Sequence, residues 1–265
     1  TLLDCWDRTV EKYPDREYVV DDRGYRYTYR EMDEAAGRVA SYLLWLGIRP
    51  GEVVSYQLPI WSEFAMLTIA CYKIGAVAHP IAMSYEEKEL ARSLNVTESR
   101  CYFGPTFFYK TDYEERILAV RDQVPLLKDV VLIDSVRERK SNVPLLREIL
   151  ASCEPLPKER CVHTKNGQDI AVILCTSGTT GGTKGVLLTH DNVRYSEDTF
   201  NRELGLTEED IMFMPAPLHH ATGFHHAIIA PMLHGAKVVL QQKYQCRSAI
   251  ELMNREKVTY SMGAT

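Results

Sequence analysis

The sequence has no excess of positive charge. Its 265 residues hold 31 Lys and Arg against 36 Asp and Glu, a formal net charge of −5 and a pI near 5.9, which argues against a nucleic-acid partner. It has no C-x-x-C pair. Cys5, Cys71, Cys101, Cys153, Cys161, Cys175 and Cys246 are scattered, the pattern of reduced, mostly buried thiols in a cytoplasmic protein rather than of a disulfide framework. It also lacks a long apolar run. The longest uncharged stretch, Ile211 to Ala236, carries three prolines and five histidines, so it predicts no transmembrane segment. The opening Thr1-Leu-Leu-Asp-Cys-Trp-Asp7 carries acids and no basic cluster, which predicts no signal peptide. No repeat or low-complexity tract is present. The apolar share of 45% and charged share of 25% fit a globular protein with a sizeable core.

What is present is a Gly/Thr/Ser-rich loop between two apolar runs, Leu174-Cys-Thr-Ser-Gly-Thr-Thr-Gly-Gly-Thr-Lys-Gly-Val186. Ile170–Leu174 reads as a buried strand and Val186–Leu188 as a second one. Thr189-His-Asp-Asn192 then has the pattern of a capped helix start. Gly178, Gly181, Gly182 and Gly185 free backbone N–H groups to turn toward a ligand. Thr176, Ser177, Thr179, Thr180 and Thr183 supply hydroxyls, and Lys184 a positive charge. Many donors, one cation and no adjacent carboxylate suit a polyphosphate, although the same composition also fits a surface loop. The P-loop pattern fails here: Thr183 stands where its second glycine should be, and Gly185 follows Lys184 where a hydroxyl residue should. G-x-G-x-x-G is absent from the loop.

Thr176-Ser-Gly-Thr-Thr-Gly-Gly-Thr-Lys-Gly185 resembles the phosphate loop of the adenylate-forming enzymes, T-S-G-T-T-G-x-P-K-G, with Thr183 in place of proline. That superfamily includes acyl-CoA synthetases, luciferases and peptide-synthetase adenylation domains. Tyr27-Thr-Tyr29, Leu58-Pro-Ile-Trp-Ser-Glu63 and Gly75-Ala-Val-Ala-His-Pro80 resemble further segments of the acyl-CoA synthetase pattern, in the same order. Within the superfamily the chain looks most similar to short- and medium-chain fatty-acyl-CoA synthetases. Ligases for carnitine/crotonobetaine-type or cyclic carboxylates are near alternatives.

Along the chain, helix and strand signals alternate. Leu2–Tyr13 has apolar residues at helical spacing. Tyr18–Val20 and Tyr25–Thr28 read as a hairpin. Thr28 and Glu31 form a capping-box pattern before a helix that ends at Gly47. Val53–Tyr56, Ala76–Ile81, Arg100–Phe103 and Asp129–Ile133 read as strands, and Ser62–Ile74, Glu86–Leu94 and Tyr113–Gln123 as helices. The expected fold is α/β, with mostly parallel sheets covered by helices on both faces. The resemblance makes it the N-terminal-domain portion of the adenylate-forming fold. The polar, aperiodic stretch from Ala151 to Gly167 suggests a first subdomain over 1–165 and a second, incomplete one over 166–265 bearing the phosphate loop and acyl pocket, with the C-terminal domain absent.

A second constellation, Met214-Pro-Ala-Pro-Leu-His-His-Ala-Thr-Gly-Phe224, resembles the family's P-L-F-H-x-x-G motif. The resemblance implies that His220 lies beside the acyl carboxylate and that Gly223, Phe224 and Gly263 border the acyl pocket. It also implies that Lys184 and the hydroxyls of Thr176, Ser177, Thr179 and Thr180, with Gly178 and Gly181, hold the phosphates of ATP. Lys184 and His220 are the candidate catalytic residues. His219, His225, His226 and His234 are read as packed and hydrogen-bonded rather than metal-binding, because no Asp or Glu lies between Ile211 and Ile250. The same lack of acid argues for an uncharged apolar carboxylate over an amino acid, whose ammonium group would ask for a buried carboxylate.

The implied activity joins ATP and a carboxylate into an acyl-adenylate, from which CoA displaces AMP. Mg²⁺ is implied too, with its ligand expected beyond Thr265. No segment matches the family's downstream Y-G-x-T-E and T-G-D motifs, its hinge or its C-terminal lysine. The chain therefore reads as an N-terminal fragment, inactive alone. The implied partners are small molecules, with self-association into a homo-oligomer allowed. The alternative from another class is a non-catalytic nucleotide- or phosphate-binding module built on the same loop.

Overall fold

The structure, a computed structural model, describes residues 1–162, 166–176 and 184–263. It opens with helix α1 (Leu2–Lys12), whose capping box pairs Thr1 with Asp4. Strands β1 (Glu17–Asp21) and β2 (Arg26–Thr28) form the expected hairpin. Helix α2 (Tyr29–Trp45) starts at Thr28, whose hydroxyl accepts from the Glu31 N–H while the Glu31 carboxylate accepts from the Thr28 N–H. There follow β3 (Val53–Tyr56), α3 (Glu63–Lys73), β4 (Val77–Pro80), α4 (Glu87–Val96) and β5 (Cys101–Pro105). A small hairpin, β6 (Phe107–Phe108) and β7 (Thr111–Asp112), precedes α5 (Tyr113–Arg121), β8 (Asp129–Ile133) and α6 (Leu146–Ser152). The last part holds β9 (Ile170–Thr176), β10 (Lys184–Thr189), α7 (His190–Glu203) and β11 (Ile211–Met214). A π-helix (Gly223–Ile229) runs directly into α8 (Ala230–His234), followed by β12 (Lys237–Leu240), α9 (Cys246–Glu256) and β13 (Tyr260–Ser261).

The strands build two larger sheets. One runs β10-β9-β4-β3-β5-β8 and is parallel except at β10; the other runs β13-β11-β12-β1-β2 and is parallel except at β2. This is the mostly parallel α/β architecture that the alternating pattern predicts. All of α3 is buried, which explains why its sequence is apolar all round rather than striped. The principal core runs through α1, α2 and α3 and reaches strands of both sheets. At its centre Trp6, Tyr18 and Tyr29 pack with ring centroids 4.9–5.3 Å apart.

Both sheets take strands from either side of 165/166. β1 and β2 pair into the sheet completed by β11, β12 and β13, while β9 and β10 extend the sheet begun by β3 and β4. Each half lays strands into both sheets, so neither sheet closes without the other half. The aperiodic stretch begins inside α6, and its described residues 153–162 are mostly exposed or half-buried. Among the described residues no helix is long and apolar enough to cross a membrane.

Candidate functional site

The phosphate-loop candidates hang on an antiparallel pair. β9 and β10 run in register from Val172↔Leu188 to Thr176↔Lys184, with an irregularity between Ile170↔Thr189 and Val172↔Leu188, so Lys184 stands opposite Thr176 where the loop begins. Ser177, Gly178, Thr179, Thr180 and Gly181 lie outside the described residues, as does the side chain of Thr176. Lys184 is exposed at the start of β10. Behind it the chain re-enters the fold at once: Thr189 caps α7, its hydroxyl accepting from the Asn192 N–H at 3.1 Å.

The second constellation leaves β11 of the other sheet. Pro217 to His220 form a turn, with the His220 N–H donating to the Pro217 carbonyl at 3.2 Å. His220 is exposed, and its ring lies 4.5 Å from that of half-buried His219. Burial, followed by the nearby His220 charge, holds His219 down to about 4, so it is neutral at physiological pH. The π-helix follows. Pro231 has no N–H to offer the Ala227 carbonyl, which removes one i→i−4 bond at the join with α8. The adjacent Ile228 carbonyl accepts from Tyr18 Oη at 2.9 Å.

Gly223 opens the π-helix against the turn before it. A Cβ there would lie 2.2 Å from the Pro217 carbonyl oxygen, so only glycine fits this approach. Phe224 is fully buried in the principal core, edge-on to Phe64 with centroids 6.4 Å apart. Gly263 borders a cavity of about 560 Å³ walled by Phe213, Pro215, Ala216, Tyr244 and Met253. His220, Gly223 and Phe224 therefore share one turn and helix start. Gly263 lies at the mouth of β13, beside the prolines that lead into that turn.

One residue that sequence reasoning missed changes the picture of the histidines. Glu197, on α7, is fully buried; its carboxylate accepts from His225 Nδ1 at 3.1 Å and His226 Nδ1 at 2.9 Å. Burial alone would raise its pKa, but the two histidine hydrogen bonds outweigh burial and hold it down to about 2. The stretch around His220 is free of acids only in sequence; the fold supplies one from α7. The signal was the helical spacing of His190, Val193, Glu197 and Asn201 behind the Thr189 cap, which puts all four on one buried face. His234 is likewise partnered, its Nδ1 lying 2.8 Å from Asn201 Nδ2. No three His, Cys, Asp or Glu side chains are placed to hold a metal ion among the described residues, so these residues offer no cage for the Mg²⁺ that the resemblance implies.

The comparisons with known proteins agree with this architecture. Residues 6–265 match the family model described as AMP-binding enzyme. A medium-chain fatty-acid–CoA ligase of Escherichia coli is 39% identical over 265 residues, covering 100% of this chain and 46% of the relative. A mitochondrial medium-chain acyl-CoA ligase of Bos taurus is 25% identical, covering 99% of this chain and 46% of the relative. The crystal structure of an anthranilate CoA ligase in complex with anthranoyl-AMP superposes with a TM-score of 0.88 at 22% identity, over 98% of this chain and 49% of that one. The chain thus spans about half the length of the curated relatives it matches. It belongs to the family of AMP-binding enzymes.

Proposed function

We propose that the protein carrying this chain is an AMP-forming acyl-CoA synthetase acting on an apolar, fatty-type carboxylic acid. The observation that carries the reading is the register pair Thr176↔Lys184, which sets the loop's cation at the root of the Gly/Thr/Ser stretch. Support comes from the E. coli relative, which acts on medium-chain fatty acids, and from the anthranilate ligase, whose bound anthranoyl-AMP is an acyl-adenylate.

A carboxylate is a poor electrophile, and adenylation gives it a leaving group. In that step negative charge builds on the departing pyrophosphate. The proposed task of Lys184, the loop hydroxyls and the backbone donors of Gly178 and Gly181 is to meet that charge with groups already in place. Mg²⁺ would arrive on the phosphates themselves, a usual mode for this ion. His220, exposed on its turn, is proposed to stand beside the acyl carboxylate, with Gly223, Phe224 and Gly263 around the acyl chain. CoA then displaces AMP. Seven free cysteines suit a reducing, cytoplasmic compartment.

ATP–pyrophosphate exchange by the full-length protein, across a panel of carboxylic acids, tests the reading. Exchange driven by butyrate through octanoate supports it. ATP binding without exchange on any acid would favour a non-catalytic nucleotide-binding module.

A further inference from the structure

The sheet that bears the loop has a weak seam. β3 pairs with β4 along four residues, but β4 meets β9 through a single register pair, Ala78↔Val172. Beyond that point β4 reaches Pro80, which has no N–H to continue a ladder. β9 nevertheless runs four residues further, to Thr176 at the foot of the loop. β10 pairs with these last residues on one side, so on the β4 side only side chains can hold them to the rest of the sheet.

A buried polar cluster lies at this gap. His79, wholly inside, points one ring nitrogen back into the sheet: Nδ1 is 2.7 Å from Ser55 Oγ of β3 and 3.4 Å from Thr97 Oγ1. Ser55 is bonded in turn to Ser99, and Ser99 to Thr97 at 2.8 Å. The other nitrogen faces the loop strand: Nε2 is 3.4 Å from Cys175 Sγ and 3.4 Å from Ser93 Oγ of α4. Ser93 also reaches the same thiol, at 4.0 Å. Ser55, His79, Ser93 and Ser99 are all buried, and among the described residues no charged side chain hydrogen-bonds within the cluster. Such a group of polar atoms would be costly inside a sheet unless its bonds were made.

We propose that His79 is a positioning residue for ATP. Its ring bridges the central strand to Cys175 and so ties the foot of the phosphate loop to the rest of the sheet on the side where pairing with β4 has stopped. This rests on the loop reading given above. Burial drives the imidazole far below its usual range, to about 3, so it stays neutral with one donor and one acceptor nitrogen at every working pH.

The two amide isosteres separate the ends of the bridge. Gln places an amide near Nε2 and can still reach Cys175, whereas Asn places one near Nδ1 and reaches only the Ser55 side. In the full-length protein His79→Asn should raise the KM for ATP in pyrophosphate exchange about three- to tenfold, the worth of one lost buried hydrogen bond. The KM for the carboxylate should stay put, and His79→Gln should stay near the parent. Approached from the other end, Cys175→Ala should mimic His79→Asn and Cys175→Ser should not. The Cys175 pair, at a half-buried site, tests the idea even if a His79 variant fails to fold. Equal ATP KM in the Asn and Gln variants, or parallel rises in both KM values, would overturn the positioning role while leaving the activity standing. Were the parent to bind ATP without exchange, the Kd for ATP would replace KM in the same comparison. A parent that neither exchanges nor binds ATP would remove both readings together.

Discussion

Lys184 stands directly across the β9–β10 ladder from Thr176. Strand pairing thus fixes the backbone from which the lysine side chain extends. A charge carried on such a fixed root has less to reorganise when a ligand's charge develops beside it.

Lys184→Ala in the full-length protein is therefore expected to weaken ATP use by about 1.5–3 kcal/mol, the usual worth of a hydrogen bond to a charged group. Steady-state pyrophosphate exchange at varied ATP reads this as a fall in kcat/KM. An unchanged value would show that the lysine does not face the phosphates.

Glu197→Gln should lower stability at neutral pH, since it removes the charge that two histidine rings serve. The parent's advantage should then disappear in acid. Its carboxyl has a folded pKa near 2 against an ordinary 4.5. The stabilisation is complete above the ordinary value and is lost as pH falls from about 4.5 toward about 2. Melting temperatures of parent and variant across that window should converge. Parallel curves would mean that Glu197 is not the group holding the two rings.

Gly223 and Gly263 are both glycines of the candidate site, but they answer to different constraints. Alanine at 223 would press a methyl to 2.2 Å from the Pro217 carbonyl oxygen, whereas at 263 the nearest atom, Pro215 Cγ, is 3.9 Å away. Gly223→Ala should cost about 1–3 kcal/mol in chemical denaturation, as overpacking does. Gly263→Ala should stay within about 0.5 kcal/mol.

Substrate choice can be read from chain length. Each methylene that enters an apolar pocket should add about 0.8 kcal/mol to the apparent affinity until the pocket is full. Pyrophosphate exchange from butyrate to octanoate should show that staircase, with amino acids slower throughout. Faster exchange with any amino acid would mean that Glu197, despite its two histidines, serves a substrate ammonium.

The helices with clear caps were legible because the cap chemistry is local. Thr28 with Glu31 and Thr189 with Asn192 start their helices where the sequence says, and Gly47 and Gly75 close theirs at positive φ. The β6–β7 hairpin and α6 were not legible. The first is two residues per strand, and the second lacks a polar N-cap, starting instead from Leu145. The Gly/Thr/Ser stretch stood out in the sequence by composition and by resemblance. Glu197 and the His79 cluster did not, because their partners lie 28 and 96 residues away along the chain. A side chain's hydrogen-bond partner across such a span is a tertiary fact that no local pattern encodes.

The shared sheets also place a demand on synthesis. Val19 must wait for Val238 before β1 gains its parallel neighbour. At about 5–20 residues per second on the ribosome, that interval lasts roughly ten to forty seconds. Until then the open side of β1 would carry unpaired N–H and C=O groups. Variants that weaken β12 should for this reason lose yield through aggregation before they lose activity.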